Sequence, residues 1–241
     1  MYRVCKGVKV CYRYDKSDES DEAVVFLHGW GTDMSAFAGA VRAMKNAGKN
    51  VLALDFPGFG KSDKPPSDWG VYDYAACTDE LITSLGIKRA VLVGHSFGGR
   101  ICLILSARSY AEKLVLVSAA GLKPRFNLIK WFKIRWYKLK KRLGIAYPKG
   151  GSGDYRALDK SMRSVFVRVV NTHLDKTLDS VSQPTLIVWG KSDKETPLYM
   201  AKRFRRKIRD SALILLGGGH FAYAYRSEKF HAVLRAFVLG P

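Results

Sequence analysis

Six short, unbroken apolar runs recur along the chain, and helix-like segments separate most of them. The runs are AVVFLH (23–28), VLALD (51–55), AVLVG (90–94), KLVLVS (113–118), PTLIVWG (184–190) and ALILL (212–216). A strand with one wet face alternates polar and apolar side chains. A continuous apolar run is what a strand buried on both faces needs. Helix-like segments at residues 34–48, 73–86, 97–109, 197–209 and 226–239 alternate with the runs. This alternation predicts an α/β fold: a mostly parallel sheet with helices on both faces. One more segment, VKVCYRY (8–14), alternates as a half-buried strand does, and the acidic DKSDESDE after it reads as a solvated loop.

The rhythm breaks once. Some 65 residues between KLVLVS and PTLIVWG contain no strand pattern, too long an interval for a plain connection in a compact domain. LIKWFKIRWYKLKKRL has an amphipathic helical pattern, with Leu128, Phe132, Trp136, Leu139 and Leu143 on one side. YPKGGSGDYRA is a Pro/Gly break, and SMRSVFVRVVNTHL is a second helical segment. The expected organisation is a core of residues 1–120 and 181–241 with a helical cap at 121–180.

VLVGHSFGGR (91–100) runs an apolar strand straight into a glycine-flanked serine. Gly94-His95-Ser96-Phe97-Gly98 matches G-x-S-x-G, a sharp strand-to-helix turn that lifts a serine hydroxyl to the carboxyl edge of a sheet. Small residues flank the serine because the turn is tight. Serine is a poor nucleophile until a base takes its proton. The histidines are His28, His95, His173, His220 and His231. His95 adjoins the serine, where neighbouring side chains diverge. His231 lies in a helical pattern and His173 in the cap. His220 ends GGGH just after ALILL, on a loop able to reach the sheet edge. The base needs an acid to orient it. Asp193, in WGKSDKETP, leaves a strand edge and precedes His220; Glu195 is its local rival. Two backbone donors are needed for an oxyanion. They are expected at Phe97, just after the nucleophile, and at Trp30 in His28-Gly29-Trp30-Gly31.

In this order HGWG, DFPGFGKSDKP, GHSFGGR, WGKSDKETP and GGGH resemble the α/β-hydrolase superfamily over nearly the whole chain outside the cap. The resemblance implies an eight-stranded, mostly parallel sheet with the lid inserted after the sixth strand. It implies a Ser96, Asp193, His220 triad in the family's order, and structural roles for Asp55, Gly58 and Gly60. A serine at the elbow argues against the branches that use an aspartate nucleophile. The leading expectation is a serine hydrolase that cleaves a carboxylic ester of small or medium acyl size through an acyl-enzyme. One alternative is a carbon–carbon bond hydrolase acting on a keto-dienoic acid. Those enzymes often carry Asn before the nucleophile and Trp after the catalytic histidine, where this chain has His95 and Phe221. Another is an esterase for acyl groups on acyl carrier protein, because HGWG resembles the pimeloyl-[acyl carrier protein] methyl ester esterase. A non-catalytic receptor on the same fold ranks below these. Candidate substrate contacts are His28, Gly29 and Phe221 in the core and Phe126, Trp131, Phe132, Trp136 and Phe166 in the cap. There is no metal-ligand cluster or dinucleotide fingerprint, so no cofactor is expected.

The formal net charge is +20, and it is concentrated. Residues 123–142 hold nine Lys or Arg, including Lys130, Lys133, Lys138 and Lys141, without one acid; KRFRRKIR (202–209) is a second cluster. Such fields attract anions. They suit an anionic substrate, an acidic carrier protein or an anionic membrane surface at the cap. With no recognition motif, nucleic acid is not the expected partner. No apolar run is long enough for a membrane span, and the N-terminus carries no signal-peptide pattern. Cys5, Cys11, Cys77 and Cys102 form no CxxC pair, so they are expected as reduced thiols in a cytoplasmic protein.

Overall fold

The computed structural model describes residues 1–125 and 158–240. Its strands are β1 (Tyr2–Cys5), β2 (Val8–Asp15), β3 (Glu22–Leu27), β4 (Val51–Leu54), β5 (Arg89–His95), β6 (Ala111–Val117), β7 (Thr185–Gly190) and β8 (Ser211–Leu216). They form one sheet in the order β1-β2-β4-β3-β5-β6-β7-β8. β2 pairs antiparallel with β1 and with β4, and every other neighbouring pair is parallel. The described helices are α1 (Ala38–Asn46), α2 (Val71–Ser84), α3 (Phe97–Leu105), α4 (Lys160–Asn171), α5 (Leu198–Lys207), α6 (Ala222–Tyr225) and α7 (Ser227–Leu239).

The central strands alternate between two cores, which explains why their sequences are apolar throughout. Val25 and Leu27 of β3 face a cluster with Tyr74, Leu81, Ile101, Phe204 and Ile208, supplied by α2, α3 and the α5 segment. Val24 and Phe26 face the other way, onto Phe37, Met44, Phe230 and Leu234 of the α1 and α7 layer.

β1 extends the sheet beyond the strands read from sequence. It joins β2 through Lys6-Gly7, both at positive φ (47° and 75°), the geometry of a two-residue hairpin turn with the twist of its strands. Only Cys5 of YRVC is fully buried, so a strand of this kind leaves almost no apolar pattern.

The strand order reverses at β3. From β3 the chain moves outward to β4, then returns on the other side as β5. A crevice opens at the carboxyl ends of such a pair. The loop His28–Gly31 leaves β3 there, and Ser96 leaves β5.

Within the expected cap interval, residues 126–157 lie outside the described residues. Phe126, Trp131, Phe132 and Trp136 fall there, as do Lys130, Lys133, Lys138 and Lys141. α4 is described. The Asp159 side chain accepts from Met162 N and caps its first turn, and Met162, Val165 and Val169 are its buried face. The Met162 thioether lies over Gly58, where a Cβ would meet its Cε at 2.6 Å.

Candidate active site

Ser96 sits between β5 and α3 with φ 48° and ψ −105°. This region is costly for any residue with a Cβ, about 1–3 kcal/mol, and persists only where the surroundings enforce it. They do so through main-chain bonds. Ser96 N donates to the Val117 carbonyl (3.0 Å), and the Ser96 carbonyl accepts from Gly99 N (3.1 Å) and Ala120 N (3.0 Å). The flanking glycines are steric requirements. A Cβ on Gly98 would collide with the Leu27 carbonyl, and one on Gly94 would meet Gly98 and the Cys102 Sγ at about 2.6 Å. Ser96 itself is only partly buried.

His220 and Asp193 come together from the loops after β8 and β7. His220 Nδ1 lies 2.9 Å from Asp193 Oδ2, and the two residues are 8% and 5% exposed. Burial pushes the Asp193 carboxyl up, but hydrogen bonds from His220 and from Thr196 outweigh it and hold the group below the usual carboxylate value. Thr196 donates its main-chain N–H to Asp193 Oδ1 (2.9 Å) and its hydroxyl to Oδ2 (2.8 Å). A carboxylate only accepts, so the ring donates to Asp193 from Nδ1, and Nε2 is the nitrogen left for other partners. Glu195 Oε2 stands 3.4 Å from that Nε2. The two carboxylates weighed in the sequence thus occupy opposite sides of the ring. Asp193 is the buried one, whereas the Glu195 side chain is 63% exposed.

The loop after β3 lies against the elbow. A Cβ on Gly29 would sit 3.6 Å from the Ser96 Cβ and 2.7 Å from His95 Nδ1. Gly98 N donates to the His28 carbonyl (3.1 Å), tying α3 to this loop. Among the described residues neither the Trp30 nor the Phe97 main-chain N–H meets an acceptor. The Trp30 ring packs against Phe59 (4.9 Å), Phe97 (5.4 Å) and Phe166 of α4 (5.2 Å). This places Phe166 beside the same loop. Phe221 is half-buried and lies 5.4 Å from the His220 ring.

His28 is a correction. The sequence suggests a substrate contact, but the structure commits both ring nitrogens to the main chain. Nε2 accepts from Phe56 N (2.9 Å), and Nδ1 donates to the Gly29 carbonyl (2.7 Å). His28 is fully buried, and burial lowers it to about 4, so it is a neutral brace behind the loop. Asp55 also braces the main chain, accepting from Met34 N (2.8 Å) and Lys61 N (2.9 Å). His231 packs against Gly39 of α1, away from this site. Thr196, which the sequence reading did not name, contributes to the site, as does His95, which that reading set aside as a base. Thr196 follows Asp193 by three residues, the spacing of a side-chain cap on a turn, and that was its only local signal.

The four cysteines are free and buried. Burial pushes the Cys5 and Cys77 thiols up to about 11 and about 12, which makes them inert. Among the described residues, none of the His, Cys, Asp and Glu side chains cluster to hold a metal ion, and no helix is long and apolar enough to cross a membrane.

Of the first expected basic cluster only Lys123 and Arg125 are described, and both lie against α5. The Arg125 guanidinium lies 4.5 Å from the Tyr199 ring of α5, and Arg203 of α5 donates to the Lys123 carbonyl (3.4 Å). Asp175 and Asp179 pair with Arg203 (2.6 Å) and Lys207 (3.1 Å).

Comparison with known proteins agrees with this architecture. A hydrolase of the superfamily in Bacillus subtilis, YisY, is 28% identical, the match covering 89% of this chain and 90% of that protein. A 2-hydroxy-6-oxononadienedioate/2-hydroxy-6-oxononatrienedioate hydrolase from Paraburkholderia phymatum is 26% identical over 96% of this chain and 92% of its own. Among solved structures, an esterase from Exiguobacterium antarcticum superposes with a TM-score of 0.79 at 23% identity, covering 99% of both chains. The model of the alpha/beta hydrolase family matches residues 24–233. With the sheet order, the strained serine turn and the crevice at β3 and β5 described above, this match places the chain in the alpha/beta hydrolase family.

Proposed function

We propose that the chain is a serine hydrolase that cleaves a carboxylic ester of small or medium acyl size through an acyl-enzyme. The observation that carries this reading is the strained Ser96 turn beside the buried His220–Asp193 pair, the ring of the adjoining His95 lying 4.7 Å from the His220 ring. In this reading Ser96 Oγ attacks the ester carbonyl carbon and its proton passes to His220 Nε2. Asp193 holds the ring in the tautomer that leaves Nε2 free and stabilises the imidazolium that forms. The free N–H groups of Trp30 and Phe97 receive the developing oxyanion. Collapse expels the alcohol, which takes the proton from Nε2. Water, deprotonated by the same nitrogen, then releases the acid and restores Ser96.

Gly29 supports this reading by keeping the loop close to Ser96, and Phe166 and Phe221 supply apolar surface on two sides for an acyl group. Phe126, Trp131, Phe132 and Trp136, outside the described residues, remain candidate substrate contacts in this proposal. The basic segments favour an anionic or carrier-bound acyl substrate, or one presented at an anionic surface, in a cytoplasmic protein without a cofactor.

A second reading, carbon–carbon hydrolysis of a keto-dienoic acid, draws support from the name of the Paraburkholderia phymatum relative. A panel of p-nitrophenyl esters from acetate to palmitate, run beside a keto-dienoate, separates the two. Turnover of a short or medium ester well above that of the dienoate is the expected result. Turnover of the dienoate alone would favour the second reading.

A further inference from the structure

His95 stands immediately before Ser96, yet its side chain serves the opposite wall of the site. His95 Nε2 lies 3.1 Å from the main-chain oxygen of His220. The two imidazole rings are 4.7 Å apart, and the His95 ring also packs against Phe221 (5.1 Å) and Tyr223 (4.7 Å). Its other edge faces the loop after β3, where the 2.7 Å from Nδ1 to a would-be Gly29 Cβ leaves no space for a side chain. One ring therefore touches the nucleophile's own turn, the Gly29–Trp30 loop and the His220 loop.

We infer that His95 is a positioning residue for His220: its Nε2–H holds the His220 carbonyl and sets the spacing between the His220 loop and the Gly29–Trp30 loop. This inference rests on the reading of Ser96 and His220 as nucleophile and base.

The chemistry follows from the hydrogen bond. A carbonyl oxygen only accepts, so Nε2 carries the proton and Nδ1 is a bare acceptor. That Nδ1 is buried and has no partner among the described residues. Leaving an acceptor unpaired in the interior is destabilising, so an apolar residue of similar size would suit this half of the ring better. The other half explains the imidazole: a phenyl ring would strand the His220 carbonyl. His95 is 1% exposed, and burial lowers it to about 3. It therefore remains neutral, with one fixed donor, wherever the enzyme is folded. The groups around it are consistent with this state. His220 lies across the ring stack, Asp193 lies beyond His220, and His28, also neutral, sits on the β3 side.

The test compares two replacements of nearly equal length and flexibility. His95→Gln keeps an amide donor, and His95→Met does not. On the best p-nitrophenyl ester, kcat of H95M falls at least about tenfold while KM stays within about twofold, and H95Q recovers most of the loss. The rate of phosphonate labelling at Ser96 follows kcat in both. A purely space-filling role moves melting temperature and leaves kcat of the folded fraction alike in the two variants, which would overturn the inference. Should H95M fail to fold, nitrogen-15 NMR of the parent protein reads the ring directly. A neutral Nε2–H tautomer that persists from pH 5 to 8 supports the assignment; an Nδ1–H tautomer or an imidazolium overturns it. S96A is the control for the underlying reading. Full activity in S96A refutes that reading, whereas an inactive S96A beside a fully active H95M refutes only the role of His95.

Discussion

Oδ2 of Asp193 lies 2.9 Å from Nδ1 of His220, and Glu195 approaches the same ring from the Nε2 side at 3.4 Å. The first contact is buried and bonded on both sides; the second is on the surface. Replacing Asp193 by Asn turns an acceptor into a donor at Nδ1 and reverses the tautomer, so kcat is expected to drop about 10³–10⁴-fold. Glu195→Gln removes only an exposed charge, worth about 1 kcal/mol or less, and a change of less than about fivefold is expected. Steady-state kinetics of the two variants decide the matter. A crippling Glu195→Gln beside a mild Asp193→Asn would assign the orienting role to the wrong carboxylate.

Gly98→Ala is expected to damage the fold itself. The new Cβ meets the Leu27 carbonyl, which is main chain and part of β3, so the helix must shift rather than a side chain. Overpacking of this kind costs about 1–3 kcal/mol, or roughly 2–12 °C in Tm for a chain of this size. Because the shift also moves the Phe97 N–H, activity should fall in protein that remains folded. Calorimetry with activity per folded molecule tests both, and an unchanged Tm would refute the steric account of the elbow.

Two buried neutral histidines make stability sensitive to acid. Burial lowers His28 to about 4 and His95 to about 3, while both return to about 6.5 when the chain unfolds. The unfolded chain therefore binds more protons below pH 6.5, and stability falls as pH falls. Between pH 7 and 5 each group removes about 2 kcal/mol. Urea unfolding at these two pH values, at fixed ionic strength, should show the loss. Equal stability at pH 7 and 5 would mean that both rings are solvated or paired, and a loss of only about 2 kcal/mol would mean that one of them is.

Much of the fold was legible because its signals are local. The six apolar runs became β3 to β8, because a strand buried on both faces cannot afford polar residues. β1 was not legible: YRVC exposes most of its side chains, and its pairing is set by the Lys6-Gly7 turn. The serine turn and its glycines could be read because crowding at that bend dictates residue type. The tasks of His28 and His95 could not. Both depend on which carbonyl or N–H the sheet brings opposite each ring nitrogen, and Phe56 and His220 are distant in sequence. The contact of Arg125 with the Tyr199 ring of α5 likewise joins positions far apart in the chain.

The central claim is that Ser96 is the nucleophile, and covalent labelling tests it most directly. After treatment with a fluorophosphonate, intact-mass spectrometry should show one adduct per chain, and peptide mapping should place it on Ser96, with activity lost in proportion to labelling. S96A should take up no label and show no esterase turnover. An adduct on another residue, or an S96A enzyme as active as the parent, would contradict the account.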